Sequence, residues 1–321
     1  MIDYSIDYKL FNPRERKDGV SAFMRVRNGA EFLKIVIESH IDFFDEFIVC
    51  YNQCTDDTES ILNNLKLKYP NKLNVYFYKP RVVPIGSKEH ENTPSTSVNS
   101  FVYYSNFALS KTSCKIVTKI DDDHLAIVKN FKKAIKKAKK LKNSVLSYSG
   151  INLFRSSYGE LGVVKSRPFS GNGDIMFFPI SQNTYFTHTP TQESFNIGNL
   201  RYEYAGIIYF HLKYLKSGYG FDNYELDKNS DSRYKKMFES FNNGDEIFQY
   251  YEDFIKKGYK DDPRLIQDSK RIKLARYLPY TLLKNIPHIK NDQILLRFSR
   301  FRSDMKGIKI PVDIIENGSV C

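Results

Sequence analysis

Between residues 20 and 78 the apolar residues switch repeatedly between strand and helix spacing, and this alternation constrains the fold more than any other feature. Val20-Ser21-Ala22-Phe23-Met24-Arg25-Val26 reads as a buried strand. Arg27-Asn28-Gly29 makes a turn, and from Glu31 onward Phe32, Leu33, Val36 and Ile37 recur at helical spacing. A second strand covers residues 46–51, a polar loop 52–58, a second helix carries Ile61, Leu62, Leu65 and Leu67, and a third strand covers 73–78. A β-α-β-α-β order predicts an α/β fold that opens as a parallel sheet, with ligands gathering beyond the carboxyl ends of the strands.

A further strand, Ile116-Val117-Thr118-Lys119-Ile120, runs straight into Asp121-Asp122-Asp123-His124. Three adjacent carboxylates repel one another and are costly without a cation among them. Alternation along an extended strand would turn Asp121 and Asp123 to one face, where both reach a single hard divalent ion that keeps positions open for phosphate oxygens. The same triplet also reads as an ordinary polar turn, and His124 suits either a Mn²⁺ site or solvent exposure. Because the 52–58 loop and the triplet both sit at strand ends, a shared site is expected. Neither GxGxxG nor GxxxxGK[ST] occurs, so no dinucleotide fingerprint or P-loop accounts for it.

With 321 residues and 15% aromatics, the chain can bury a large core rather than remain disordered. Its net charge of +12 favours anionic partners such as nucleotide diphosphates, an anionic membrane surface or nucleic acid, although abundant Lys, Asn and Ile beside no Trp also fits an AT-rich coding bias. Cys50, Cys54, Cys114 and Cys321 show no zinc spacing and suit a reducing cytoplasm. No signal-like apolar start and no run near the roughly 20 apolar residues of a spanning helix is present, so a soluble or peripheral protein is expected.

Residues 79–100, rich in Pro, Ser and Thr, read as a long loop able to cover the site, and residues 101–111 as a helix. The eight lysines of residues 129–142 read as the solvated face of a helix whose other face carries Phe131, Ala134, Ile135, Ala138 and Leu141. Strand-like segments follow at 144–149 and 152–154. Ser170-Gly171-Asn172-Gly173-Asp174 then sets an acid ahead of the strand-like 175–178, either presented to a ligand or as a plain turn residue. His211 lies within the apolar run 206–216, where a histidine is more often a core residue than a ligand. From Lys260 to Lys309, 13 Lys and Arg face 5 Asp and Glu among interleaved apolar residues, which suits an anionic lipid surface or a helical subdomain packed on the sheet.

The chain resembles the GT-A glycosyltransferases, family 2-like enzymes whose Rossmann-like fold implies a mixed, mainly parallel sheet flanked by helices, in the segment from Phe23 to Asn28, in residues 52–58 and in Asp121-Asp122-Asp123 as a DxD motif. A closer likeness is to bacterial lipooligosaccharide β-1,4-N-acetylgalactosaminyltransferases, carried by residues 22–28, 51–56, 119–124, 171–174 and 209–213. Two positions depart from that pattern: Asn172 interrupts a glycine pair, and Phe210 replaces a Trp before His211.

The resemblance implies Mn²⁺ or Mg²⁺ held by Asp121, Asp123 and His211, and a UDP-sugar contacted by Arg27, Asn28, Tyr51, Asn52, Asp56, Asp121 and Asp122. It implies Asp174 as the catalytic base of an inverting transfer, with Glu193 and Glu203 as alternatives. The acceptor would be a glycan or glycolipid such as lipooligosaccharide or capsule. Residues 1–216 would form the catalytic domain and residues 217–321 a basic, mainly helical region for acceptor or membrane contact. The expected location is the cytoplasm, peripheral on the inner face of the membrane, with no nucleic-acid partner. A metal-dependent nucleotidyltransferase and a non-enzymatic protein binding anionic polymers remain the other readings of the acids and the charge.

Overall fold

The computed structural model describes residues 4–171, 175–244, 246–258 and 304–318. Asp174 and most of the basic stretch 260–309 lie outside the described residues.

Alternation within each strand builds a sheet with two buried faces. In β1 (Lys17–Val26), Val20, Ala22, Met24 and Val26 join one apolar cluster while Phe23 joins the other. In β2 (Glu46–Tyr51), Phe47, Val49 and Tyr51 follow the first set, and Ile48 and Cys50 the second. With β3 (Leu73–Phe77) and β4 (Cys114–Lys119) these strands run parallel in the order β3-β2-β1-β4. The first face is covered by α1 (Leu33–His40), α2 (Thr58–Lys68) and, further along the chain, α5 (Val128–Ala138). The second is covered by α4 (Phe101–Ser110) and by the hairpin β10 (Tyr185–Thr189) and β11 (Gln192–Asn196). Each Leu, Ile, Val or Phe fully buried this way contributes roughly 1.5–3 kcal/mol. On α5, Phe131, Ala134, Ile135 and Ala138 are buried while Lys132, Lys133 and Lys136 are exposed, as its apolar stripe predicts.

The second half of the sheet is mixed and centres on β6 (Ser144–Arg155), one strand where the sequence suggested two. β9 (Met176–Pro179) lies antiparallel between β4 and β6. The short β8 (Phe169–Ser170) and β7 (Leu161–Val164) pair antiparallel with β6, and β13 (Phe248–Tyr250) extends the edge beyond β7. β12 (Arg201–His211) runs parallel to β6 and antiparallel to β5 (His124–Ala126). At its end His211 pairs with His124 on one side and Asn152 on the other, which sets three side chains in a row across three strands. The expected mixed α/β sheet flanked by helices is thus present.

The 79–100 segment is not wholly irregular, since Ser87 caps a short helix, α3 (Lys88–Asn92), by accepting the His90 N–H at 2.9 Å. Beyond residue 216 come 3₁₀ turns and α6 (Arg233–Asn242), and Tyr251, Phe254, Met305 and Ile315 join the first-face core. Among the described residues no helix is long and apolar enough to cross a membrane.

Candidate functional site

The acid triplet does not continue β4. That strand ends at Lys119, and Asp121 to His124 form a tight turn in which His124 N–H donates to Asp121 O at 3.1 Å. Strand alternation therefore does not orient these carboxylates. The turn is pinned instead by Ile120 N–H to Phe23 O at 2.9 Å and by Leu212 N–H to Asp123 O at 2.7 Å. The second bond brings the end of β12 against the turn.

Asp123 Oδ1 lies 3.3 Å from His211 Nε2 and 3.8 Å from His124 Nε2. It is buried and makes no hydrogen bond of ordinary geometry. An orphaned carboxylate oxygen in the interior costs a few kcal/mol unless something positive reaches it. Asp123, His124 and His211 each bring a donor atom within 4.8 Å of the others, a set whose hard oxygen and imidazole nitrogens suit Mn²⁺. His124 is buried, not solvent-exposed, and His211 is half-buried at the edge of the core with its Nε2 toward Asp123. Asp121 falls outside this trio: its Oδ2 is 3.6 Å from Lys119 Nζ and 3.7 Å from His124 Nε2.

The sequence reading missed Lys216. Its Nζ lies 2.9 Å from Asp122 Oδ2 and 3.3 Å from Asp123 Oδ2, bridging two members of the triplet. Burial opposes charge on Asp123, but Lys216 and His211 outweigh it and hold the carboxyl well below its usual range. Burial likewise opposes charge on Asp121, and Lys119 and His124 prevail there. Asp122 behaves differently, because burial and the charge of Asp123 push it up to about 6 against the pull of Lys216. The sequence reading also missed Asn152, whose Oδ1 is 2.6 Å from His211 Nδ1. Both residues are distant in sequence from their partners, and without the strand register no local pattern marks them.

The residues expected to contact the nucleotide come together around the loops after β1 and β2; the side chains of Asn28, Tyr51, Asn52 and Asp56 are bonded to the protein, whereas Arg27 Nε is buried without a hydrogen bond. Asn28, at φ 51°, accepts Thr55 N–H at 2.8 Å and donates to Asn223 Oδ1 at 3.3 Å. Asn223 in turn donates to Arg27 O at 2.5 Å. Tyr51 donates to Glu59 at 2.7 Å, and Asn52 donates to Tyr78 O and Pro80 O at 2.6 and 2.8 Å. Asp56 accepts Ala30 N–H at 3.0 Å and Thr58 N–H at 3.1 Å, tying the two loops and starting α2.

Glu193 sits beside the triplet on β11, in a bidentate pair with Arg25 at 2.7 and 2.9 Å, and it accepts Ser105 Oγ at 2.6 Å. Lys119 Nζ, 3.6 Å from both Glu193 and Asp121, links the pair to the triplet. Glu203 lies far from the chemistry. It is the third residue of β12, eight residues before His211, roughly 25 Å along an extended strand, and pairs with Lys137 at 2.9 Å.

Known proteins give the arrangement its context. Among solved structures, a TarS fragment from S. aureus covers 94% of this chain and 92% of its own, at 13% identity and a TM-score of 0.39. The same fragment in complex with UDP-GlcNAc matches 58% of each chain at 16% identity and 0.35. Glucosyl-3-phosphoglycerate synthase from Mycobacterium tuberculosis, with Mn²⁺, UDP and phosphoglyceric acid, matches 48% of this chain at 16% identity and 0.29, and the match spans 49% of the synthase, about half its length. These scores are too low to carry ligands or residues across. No curated protein matches well enough to count as a relative. A family model described as Beta-1,4-N-acetylgalactosaminyltransferase (CgtA) matches residues 4–176, more than half of the chain. The chain belongs to the Beta-1,4-N-acetylgalactosaminyltransferase (CgtA) family.

Proposed function

We propose that this glycosyltransferase moves GalNAc or another hexose from a UDP-sugar to a bacterial surface glycan, such as lipooligosaccharide or capsule, with inversion and with a divalent ion. The observation that carries the reading is the buried Asp123 Oδ1 facing His211 Nε2 at 3.3 Å without a hydrogen bond, in a member of this family. Asp123 and His211 would hold Mn²⁺ or Mg²⁺, with Asp121 beside them. A bound ion would supply Lewis-acid stabilisation of charge on the leaving diphosphate. Lys216, kept charged by Asp122 and Asp123 despite burial, lies 3.3 Å from Asp123 Oδ2 and would face that charge. Arg27, Asn28, Tyr51, Asn52 and Asp56 shape the loops against which the uridine would lie.

In the transfer the anomeric carbon–oxygen bond to UDP breaks and UDP leaves with the electron pair. The acceptor oxygen bonds to that carbon and gives its proton to a carboxylate within hydrogen-bond reach. Asp174, at the end of its glycine-rich turn, is our choice of base from the sequence. Glu193 is the alternative, although both its oxygens already accept hydrogen bonds. The 79–100 segment would exclude water from the donor. The basic region 217–321 would meet the acceptor or the inner face of an anionic membrane.

The test is UDP release from a panel of UDP-sugars, with and without Mn²⁺, by the wild type and Asp123→Asn. Metal-dependent turnover of one donor, lost in the variant, is expected and names the sugar. Turnover indifferent to Asp123→Asn would remove the triplet from the mechanism, and release of pyrophosphate in place of UDP would make the enzyme a nucleotidyltransferase.

A further inference from the structure

The row His124–His211–Asn152 holds two imidazoles that hydrogen bonds fix in opposite tautomers. Asn152 is buried, and its Nδ2 has two carbonyl oxygens to serve, Arg167 O at 2.6 Å and Phe169 O at 3.1 Å. Only the NH₂ end of an amide can face two carbonyls, so the Oδ1 end must face His211 Nδ1 at 2.6 Å. An amide oxygen only accepts, so His211 carries a hydrogen on Nδ1, and in the neutral ring the lone pair is on Nε2, the nitrogen that opens toward Asp123 at 3.3 Å. His124 is the reverse case. Its Nδ1 lies 3.3 Å from the Asp121 backbone N–H, which only donates, so the lone pair is on Nδ1 and the hydrogen of the neutral ring on Nε2. That Nε2–H points between Asp121 Oδ2 at 3.7 Å and Asp123 Oδ1 at 3.8 Å.

We infer that Asn152 is a positioning residue that locks His211 in the tautomer able to ligate a divalent cation through Nε2, and that His124 keeps its hydrogen on the nitrogen facing the acids and is not a third ligand. His124, His211 and Asp123 are equidistant enough to pass as one ligand trio, but the hydrogen bonds divide them. A histidine whose other nitrogen donates to an oxygen is oriented and made more basic as a ligand. A histidine whose facing nitrogen carries the hydrogen would have to surrender it and break its bond to Asp121 first. The consequence for the cation rests on the proposed function; the two tautomers do not.

Long-range ¹H–¹⁵N NMR of the metal-free, full chain with ¹⁵N-histidine reads the tautomers directly. The sequence has 6 histidines, and His211→Gln and His124→Gln assign the two signals by their disappearance. The expected result is a hydrogen on Nδ1 of His211 and on Nε2 of His124; the opposite tautomer at either residue overturns the inference. In Asn152→Ala the His211 signal should become a mixture of tautomers and Mn²⁺ affinity, measured by calorimetry, should fall roughly 10–100-fold, the usual cost of removing an outer partner of a ligand. Asn152→Asp, which keeps an acceptor for Nδ1–H, should restore the single tautomer. An unchanged His211 signal in Asn152→Ala removes Asn152 from this role. His124→Gln retains a donor where Nε2–H stood and should weaken Mn²⁺ binding far less than His211→Gln; equal losses make His124 a ligand and overturn the division. A wild-type chain that shows both tautomers but binds no Mn²⁺ refutes the cation reading and leaves the tautomers standing.

Discussion

The loops after β1 and β2 and the turn after β4 lie at the same end of one sheet and are equally polar, yet they treat polarity in opposite ways. In the loops, Asn28, Asn52 and Asp56 spend their side-chain atoms on backbone partners at 2.6 to 3.1 Å. In the turn, Asp123 Oδ1 is buried, faces His211 Nε2 and has no ordinary hydrogen bond. Buried polar atoms are nearly always satisfied, so a satisfied cluster describes a frame and an unsatisfied one a site that something else completes. On the proposed function the loops are mainly frame, Arg27 Nε apart, and the turn is the site.

Asp123→Asn should break the site and spare the frame. Loss of ion-borne charge stabilisation worth several kcal/mol corresponds to a fall in kcat/KM on the order of 10³-fold. The melting temperature should stay near that of the wild type, because Lys216 keeps Asp122. Loss of activity that merely follows loss of folded protein would contradict the division. Acid should act outside both regions, through His40 at the end of α1. Its ring is buried against Phe131 at 4.6 Å, its Nδ1 is 2.8 Å from Val36 O, its Nε2 has no partner, and burial pushes its pKa down from 6.5 to about 3. The unfolded chain takes up a proton below about pH 6.5 that the folded chain refuses until about pH 3. Stability is therefore complete above pH 6.5 and declines as pH falls through that window, by up to about 4 kcal/mol. Urea melts from pH 7 to 4 should show the slope, and His40→Phe should flatten it. Part of it should persist, because burial also lowers His124, to about 4.

How much of this was legible in the sequence depends on the range of the interactions. The β-α-β-α-β opening was legible because Val20, Ala22, Met24 and the residues of α1 declare their faces within a few positions. The hairpin and the start of β12 were not, since residues 187–189 and 201–205 remain partly exposed and carry no clean apolar alternation. The triplet itself was conspicuous by composition. Its geometry was not, because a turn and not a strand orients it, and that turn is held by Phe23 and Leu212 from other strands. His211 came from resemblance. Asn152 and Lys216 became visible only through contacts across 59 and 94 residues. Glu193 was placed near the site by the sequence, but its pairing with Arg25 across 168 residues was not foreseeable.

Gly29 joins the two regions and should sharpen the contrast. A Cβ there would stand 2.4 Å from Asp122 Oδ2 and 2.5 Å from Val26 Cγ2. Gly29→Ala should cost about 1–3 kcal/mol by overpacking. It should also weaken Mn²⁺ binding, by pushing Asp122 and with it Lys216; a stability loss with Mn²⁺ affinity intact would uncouple the loop from the turn.

The smallest effect is the most discriminating. Asp56→Ala removes the acceptor for Ala30 and Thr58 N–H, and the loss of such a capping carboxylate costs roughly 1–2 kcal/mol. If Asp56 belongs to the frame, denaturant melts should show that loss while UDP affinity per folded molecule, measured by calorimetry, holds. If Asp56 touches the uridine, UDP affinity should collapse beyond anything the melts explain. The hydrogen bonds favour the first outcome: each oxygen of the Asp56 carboxylate serves a backbone N–H, one from the loop after β1 and one at the start of α2, so its removal is felt first in the fold.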